Sequence, residues 1–407
     1  MSNNNTTPRL RFPGFTGEWE EQPLSNFLFE HKKKSDGKCQ VHSVSVSKGV
    51  INQVEYLGRS FAAKDTSKYN LALPNDIIYT KSPTGEFPYG IVKMNKNPYN
   101  VIVSPLYAVY SPINKYIGYI LDSFFESSVN TNNYLSSLIQ KGAKNTINIS
   151  NDTFVSKSVI LPTDLAEQEK IASCLFELNT LISTQGKKVD ALKEKKKGLM
   201  QQLFPQPGET IPRLRFSVFS GGWDYMNGDE LFEPISNKNH NSDLPILALT
   251  QDQGAVPRDM INYNVIVSDK SVAGYKVVEV DDFIISLRSF QGGIEYSRYK
   301  GLCSPAYIVL RKKSEDLISD FYRIYFKSFN YIQELNKKLE GIRDGKMISY
   351  KQFSEIKLPV PNPAEQQKIA ECLSALDELI ASESAKLDSL KDHKKGLMQQ
   401  LFPQPSK

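Results

Sequence analysis

Cysteine is scarce in this sequence, and its four residues stand far apart without a Cys-x-x-Cys pair. Such spacing indicates neither a zinc knuckle nor a disulfide framework, so we expect a reducing, cytoplasmic environment. The four histidines are equally scattered and lack the i, i+4 spacing of a metal-binding helix. The sequence therefore predicts no metal site in this chain.

Long apolar runs are also absent. No uninterrupted stretch of 18 apolar residues occurs, so we expect no membrane-spanning helix. The polar start, Met1 to Asn5, lacks the apolar region of a signal peptide. An excess of one charge is nearly absent too, because 50 Lys and Arg against 45 Asp and Glu give only +5. That balance permits a polyanionic partner without requiring one.

Complete catalytic motifs are missing as well. No Gly-x-x-x-x-Gly-Lys-[Ser/Thr] loop is present, which excludes a P-loop nucleotide hydrolase. The tripeptide 97–99, Asn-Pro-Tyr, approaches the Asn-Pro-Pro-Tyr motif of adenine methyltransferases but lacks the second proline. The tripeptide 355–357, Glu-Ile-Lys, matches only the tail of a nuclease motif. A DNA-modifying enzyme is thus an alternative without a complete site.

The chain contains two copies of one sequence pattern. Residues 8–12, Pro-Arg-Leu-Arg-Phe, recur at 212–216, and the eleven residues 197–207 recur unchanged at 395–405. The ends of the two halves match closely, whereas residues 25–140 and 231–335 share little beyond a hydrophobic outline. The matching ends therefore form a repeated structural frame, and the segments between these ends differ between the two copies.

Segments 163–207 and 360–407 have the apolar spacing of a coiled coil. Their apolar steps alternate between four and three residues, a period of 3.5. Asp164 or Thr163 can cap the first helix and Asn362 the second, and Pro205 and Pro403 end them. Each helix is roughly 60 Å long. We expect the two helices to pair, although each could instead lie on its own domain. The predicted seam residues are Ile171, Leu175, Leu178, Ile182, Val189, Leu192, Leu199, Leu203, Ile369, Leu373, Leu376, Ile380, Leu387, Leu390, Leu397 and Leu401.

The remaining segments are rich in β-branched residues and predict strands. We place strands at 40–47, 76–80 and 101–103 in the first half, and at 244–249, 276–280, 283–287 and 307–310 in the second. A helix is predicted after each set, around 117–126 and 317–339. The predicted fold is α+β, with mixed α/β domains at 1–162 and 208–359, the two long helices, and a pseudo-twofold internal repeat.

Three sets of motifs resemble the specificity subunits of type I restriction–modification systems. They are Ala-Glu-Gln-x-Lys-Ile-Ala at 166–172 and 364–370, the Lys-Gly-Leu-Met-Gln-Gln-Leu-Phe-Pro helix ends, and the Pro-Arg-Leu-Arg-Phe openings. The resemblance covers essentially the whole chain, including its duplication. It implies that each mixed domain is a target recognition domain for half of a split DNA sequence, and that the helices pair antiparallel.

The resemblance also implies the partners of the chain. These are double-stranded DNA, two methyltransferase subunits and the restriction subunits. It implies no active site and no cofactor in this chain, with S-adenosylmethionine, ATP and Mg expected on the partner subunits. Because the two domains differ in sequence, the two half-sites should differ too, and the helices should set the gap between them.

Side chains that read bases lie on loops that enter a DNA groove, so we expect them just beyond strand ends. For each candidate the alternative is an ordinary exposed loop residue. The strongest is Arg288, because an arginine at a strand end can reach guanine bidentately. A coiled-coil adaptor without DNA binding is a further alternative, and it would show no salt-dependent DNA affinity. The candidates are Ser47, Lys48, Lys81, Ser82, Thr84, Lys141, Lys144 and Asn145 in the first half, and Gln251, Gln253, Arg288, Ser289, Gln291, Arg343 and Lys346 in the second.

Overall fold

The computed structural model describes residues 6–141, 147–241, 243–261, 272–337 and 348–403. The chain divides into two compact units, the first made of residues 1–186 and 385–407 and the second of residues 187–384. Each unit therefore contains segments from both halves of the sequence.

The first half consists of short strands and helices followed by one long helix. Its strands are β1 (Glu20–Pro23), β2 (Leu28–Glu30), β3 (His42–Ser45), β4 (Gly49–Asn52), β5 (Asn70–Ala72), β6 (Ile77–Tyr79), β7 (Val92–Met94), β8 (Val101–Val103), β9 (Ala108–Pro112), β10 (Gln140–Lys141), β11 (Ile147–Asn148) and β12 (Ser158–Leu161). Its helices are α1 (Gln53–Leu57), α2 (Lys115–Glu126), α3 (Ser128–Ser136), α4 (Asn151–Ser156) and α5 (Leu165–Leu203).

The second half has the same plan. Its strands are β13 (Asp224–Asn227), β14 (Phe232–Ile235), β15 (Leu247–Thr250), β16 (Gly254–Pro257), β17 (Lys276–Val278), β18 (Phe283–Ile285), β19 (Glu295–Tyr296), β20 (Gly301–Cys303), β21 (Ile308–Lys312) and β22 (Lys357–Val360). Its helices are α6 (Gly228–Leu231), α7 (Ser289–Gly292), α8 (Ser319–Tyr325), α9 (Phe329–Lys337), α10 (Tyr350–Ser354) and α11 (Pro363–Leu401).

The single helix predicted over 317–339 is wrong, because the chain turns at residues 326–328 between α8 and α9. The turn brings Phe326 and Tyr331, both fully buried, to a ring-centroid distance of 4.8 Å. A continuous helix would have kept these rings on different faces, so burial of both aromatic side chains explains the break.

The strands pair in the same order in both units. The first unit has an antiparallel sheet in the order β2-β9-β6-β7, with the separate pairs β1-β12, β3-β4 and β5-β8. The second has the order β14-β21-β18-β19, with the pairs β13-β22, β15-β16 and β17-β20. The duplication seen in the sequence therefore extends to the strand order.

The long helices complete the core of each unit. In the first unit, Ile171 and Leu175 near the start of α5 lie in one core cluster with Leu401 at the end of α11. In the second unit, Leu203 at the end of α5 lies in one cluster with Ile369 near the start of α11. The start of one helix thus packs against the end of the other, so the helices run antiparallel within each unit. The predicted α+β fold with paired long helices and an internal repeat is confirmed.

The ends of the long helices follow from local sequence. Asp164 Oδ1 accepts the backbone N–H of Ala166 at 2.7 Å, so Asp164 rather than Thr163 caps the first helix. Asn362 Oδ1 accepts the N–H of Ala364 at 2.9 Å in the second. Both helices end two residues before a proline, which cannot supply the next backbone donor.

The repeated opening motif fastens to the long helices by the same contacts in both units. Arg11 donates from Nε and Nη2 to the Glu167 carboxylate at 2.7 and 2.8 Å. Arg215 donates to Glu365 at 2.8 and 2.7 Å. Both carboxylates are about 1% exposed, so each arginine neutralises an otherwise unpaired buried charge. We call these two ion pairs the arginine clamps.

Candidate nucleic-acid interface

The β3–β4 hairpin of the first unit and the β15–β16 hairpin of the second both expose polar side chains at their turns. Ser47 and Lys48 are exposed between β3 and β4, and Gln251 and Gln253 are exposed between β15 and β16. A side-chain hydroxyl closes each turn. Ser45 Oγ accepts the backbone N–H of Lys48 at 3.4 Å, and Thr250 Oγ1 accepts that of Gln253 at 3.1 Å. The same hairpin frame therefore exposes two different pairs of polar side chains in the two units.

Gly254 shows how tightly the second hairpin is seated. Its φ is +77°, and a Cβ at this position would lie 2.4 Å from the carbonyl oxygen of Tyr296. Only glycine fits that backbone and that space. The turn carrying Gln251 and Gln253 is consequently held against β19.

In the first unit, the loop after β6 contains three candidates, of which one is hydrogen-bonded to another side chain and two are exposed. Lys81 is half-buried, and its ammonium donates to the side-chain oxygen of Asn151. Asn151 in turn donates to Glu30 Oε1 at 2.6 Å. Burial lowers the pKa of Lys81 below its usual value. Ser82 and Thr84 are exposed.

In the second unit, the corresponding loop after β18 presents Arg288 and Gln291 to solvent. Ser289 is fully buried, and its hydroxyl accepts the backbone N–H of Ser286 at 2.8 Å. The hydroxyl of Ser289 is thus part of the turn that positions Arg288, and it is not placed at the surface with the other candidates.

Two of the predicted groups meet in the second unit. A Cβ on Gly292 would lie 2.8 Å from the side-chain amide of Gln251, so that amide rests on the last residue of α7. Gln251 and the turn that carries Arg288 and Gln291 therefore form one continuous polar surface. We call it the Arg288 surface.

The third group of candidates falls largely outside the described residues. Lys141 ends β10. Lys144 and Asn145 in the first half, and Arg343 and Lys346 in the second, lie outside the ranges that the structure describes. Their role stays a prediction.

A buried ion pair beneath the second unit's loops was missed by sequence reasoning. Glu295 is 3% exposed, and its Oε1 lies 2.7 Å from Lys327 Nζ, while Oε2 has no hydrogen-bond partner among the described residues. Burial raises the pKa of Glu295 and lowers that of Lys327. In the first unit Lys93 takes the matching place, since Lys93 pairs with Ile78 and Glu295 with Ile284. The sequence signal that could have indicated this buried charge is a charged residue within an apolar strand.

None of the sixteen predicted seam residues is exposed. Eight of them are half-buried and eight are buried. The buried ones are Ile171, Leu175, Val189, Leu203, Ile369, Leu373, Leu376 and Leu401.

Three polar residues that interrupt this seam have ionic partners. Lys196 Nζ lies 2.5 Å from Asp377 Oδ1, and Glu383 Oε2 lies 2.9 Å from Lys188 Nζ, both between the two helices in the second unit. In the first unit, Lys394 Nζ reaches Glu126 of α2 at 2.6 Å. A pair between the long helices is possible only in one register, so Lys196 and Glu383 help to fix the alignment of these helices.

Two features are absent from the described part of the chain. None of its helices combines the length and apolarity that crossing a membrane requires. No group of three or more His, Cys, Asp or Glu side chains in that part is placed to hold a metal ion.

Comparison with known proteins connects this geometry to a family. Residues 222–392 match the type I restriction modification DNA specificity domain. The chain is 25% identical over 382 residues to the putative type I restriction enzyme MjaX specificity subunit of Methanocaldococcus jannaschii, covering 89% of this chain and 85% of that protein. It is also 25% identical over 380 residues to the MjaVIII specificity subunit of the same organism, covering 86% and 84%.

The fold has a solved counterpart. The crystal structure of the type I restriction–modification system S subunit from M. genitalium matches with a TM-score of 0.61 at 15% identity, covering 98% of this chain and 100% of that one. At this identity the match concerns the fold alone. The sequence matches confirm the resemblance of the chain to the specificity subunits of type I restriction–modification systems, and residues 222–392 match the DNA specificity domain of that family.

Proposed function

We propose that this chain is the DNA-binding subunit of a type I restriction–modification complex, and that its two units read the two unlike halves of one gapped target. The observation that carries the proposal is the pairing of one frame with different strand-end residues. Where the first unit presents Ser47 and Lys48, the second presents Gln251 and Gln253. Exchanging such residues changes the bases that are read without altering the frame.

The Arg288 surface has the chemistry of direct base reading. An exposed guanidinium offers a planar fork of donors that matches O6 and N7 of guanine in the major groove. The neighbouring Gln251 and Gln291 carry amides, which pair bidentately with adenine. Since Ser289 holds the turn from below, Arg288 needs little reordering to reach a base edge.

The proposal gives this chain no catalytic step of its own. Two methyltransferase subunits and the restriction subunits would dock on it, with the long helices as the docking elements. S-adenosylmethionine, ATP and Mg would be bound by those partners. Base recognition in this chain would thus direct chemistry that occurs on other subunits.

The test is to express the chain with its methyltransferase subunit and map methylated adenines across a genome. The expected result is an asymmetric motif with two specific halves separated by unspecified bases, which disappears when this chain is omitted. A palindromic ungapped motif, or methylation that does not depend on the chain, would overturn the proposal. Purified complex should also lose DNA affinity steeply as salt is raised, whereas a protein adaptor would not.

A further inference from the structure

The short helix α1 is an ordered segment that buries none of its own side chains. Asn52 caps its start by accepting the N–H of Val54 at 2.9 Å. Gln53 Oε1 accepts the N–H of Phe61 at 2.7 Å and so ties down the loop that follows. Fixing the backbone costs about 1–2 kcal/mol per residue, and burial of α1 side chains does not offset that cost here. Hydrogen bonds therefore hold α1 in place, and its apolar side chains stay exposed.

Four of the side chains that this segment turns outward are large and apolar. Val54 is 53% exposed, Tyr56 44%, Leu57 45% and Phe61 59%. The Arg59 guanidinium lies over the Phe61 ring, 4.6 Å from its centroid. We call these five residues the α1 patch. One exposed apolar residue is ordinary, whereas four within eight consecutive residues favour an interaction site.

The charge of the surrounding domain favours a polyanionic occupant. Residues 1–162 contain 17 Lys and Arg against 12 Asp and Glu, a net of +5, whereas residues 208–359 contain 20 of each. Within the segment itself, Lys48, Arg59, Lys64 and Lys68 outnumber Glu55 and Asp65. A positive surface attracts DNA phosphates and releases their counterions.

The position of the α1 patch connects it to the predicted readers of the first unit. Ser45 Oγ donates to Tyr56 Oη at 3.3 Å. The same Ser45 hydroxyl accepts the backbone N–H of Lys48 in the hairpin turn. The α1 patch and the Ser47–Lys48 turn are therefore parts of one surface.

We propose that the α1 patch contacts the major groove of a DNA duplex and contributes to the sequence preference of one half-site. This rests on the proposed function. Leu57 and Phe61 contact thymine methyl groups, which are the apolar features of that groove. Arg59, pre-oriented on the Phe61 ring, contacts the phosphate backbone.

The first test compares two double variants of the full chain, each expressed with its methyltransferase subunit. Leu57→Ala with Phe61→Ala removes the apolar part of the α1 patch. Phe29→Ala with Leu106→Ala is the matched control, since these residues of the first unit are 56% and 74% exposed. Methylated adenines are mapped for both. We expect the patch variant to relax one half of the motif and leave the other unchanged, and to bind its wild-type duplex about tenfold more weakly. The control should match the wild type.

The outcomes separate this inference from the proposed function. A wild-type chain that directs no bipartite motif overturns both. A bipartite wild-type motif that the patch variant leaves intact overturns the inference alone. If the patch variant instead fails to co-purify with the methyltransferase while the control does, the α1 patch is a protein contact and the inference is wrong.

A second measurement does not depend on the double variant being well folded. Arg59→Gln changes one exposed side chain, and in purified complex it should lower the slope of log affinity against log salt by about one phosphate contact. Affinity should fall equally on every sequence. An unchanged slope would exclude Arg59 as a phosphate contact and overturn that part of the inference.

Discussion

The two units have nearly identical clamps but different interiors. The arginine clamps of Arg11 and Arg215 repeat to within 0.1 Å in their bonds to the glutamates. The carboxylates that immediately precede β6 and β18 already differ in their partners. Asp76 binds His31 at 2.7 Å and accepts from the Ser111 hydroxyl at 2.8 Å, whereas Asp282 accepts both arms of the Arg311 fork.

The divergence therefore starts beneath the surface that is proposed to read DNA. Lys93 and Glu295 hold the same strand position with opposite charge, and both are less than a tenth exposed. Divergence at the loop tips alone would have left these interiors alike. The comparison indicates that each unit has adapted its support as well as its surface, while the attachment to the long helices has stayed fixed.

The largest expected effect tests whether the frames are equivalent. Arg11→Ala and Arg215→Ala each leave a buried glutamate unpaired and should lower the free energy of unfolding by about 3 kcal/mol. Chemical denaturation measures both. Arg213→Ala, at a side chain 65% exposed, is the control and should change stability by less than about 0.5 kcal/mol. Losses that differ between the two clamps by more than about 1 kcal/mol would contradict the equivalence.

The next largest expected effect is on the DNA affinity and base preference that we propose for the second unit. Arg288→Ala should weaken binding by about 1–3 kcal/mol and relax preference at one position of one half-site, because a bidentate contact is lost. Binding to duplexes substituted at each position measures this. An equal loss on every sequence would make Arg288 a phosphate contact. Ser289→Ala should lower stability instead, since its hydroxyl is buried.

A smaller expected effect is a difference in stability between matching substitutions in the interiors of the two units. Asp282→Asn removes the charge that binds the Arg311 fork and should cost about 2 kcal/mol of stability. In Asp76→Asn the single remaining oxygen can still accept from the Leu73 N–H, and the new amide can donate to the Ser111 hydroxyl that donated to Oδ1, so this variant should cost about 1 kcal/mol. Denaturant unfolding of the two variants gives the comparison. The reverse order would show that the fork contributes less than the His31 and Ser111 contacts.

The smallest effect is a pH dependence from the second unit. Burial raises the pKa of Glu295 above its usual 4.5. The folded protein therefore binds this proton more tightly than the unfolded chain, so stability is favoured below about pH 4.5 and falls as pH rises through the raised value. Burial lowers the pKa of Lys327, so the contribution of this lysine to the pH dependence of stability has the opposite sign. Glu295→Gln should remove the fall, measured as melting temperature between pH 4 and 7. A fall that persists in the variant would assign it to another group.

The frame was predictable from sequence because its signals are local. The 3.5-residue period, the caps at Asp164 and Asn362 and the following prolines act within a few residues of each other. The break between α8 and α9 was not predictable, because it depends on Phe326 and Tyr331 packing in a core assembled from distant segments.

The candidate site was predictable only in part. Exposed loop positions after strands were found, since strand ends follow from the apolar pattern. The engagement of Lys81 by Asn151 and Glu30 was not found, because those residues lie 70 positions later and about 50 positions earlier in the chain. The burial of Ser289 depends likewise on the local turn geometry, which composition does not reveal.

The way the long helices are shared between units has a consequence for biosynthesis. The hydrophobic core of the first unit includes Leu401 and Phe402, which the ribosome adds some two hundred residues after Ile171 and Leu175. The first unit therefore cannot finish folding as it emerges. Its apolar helix face stays uncovered until Leu401 and Phe402 have been added, and a nascent chain with such an exposed stripe depends on protection from aggregation during that interval.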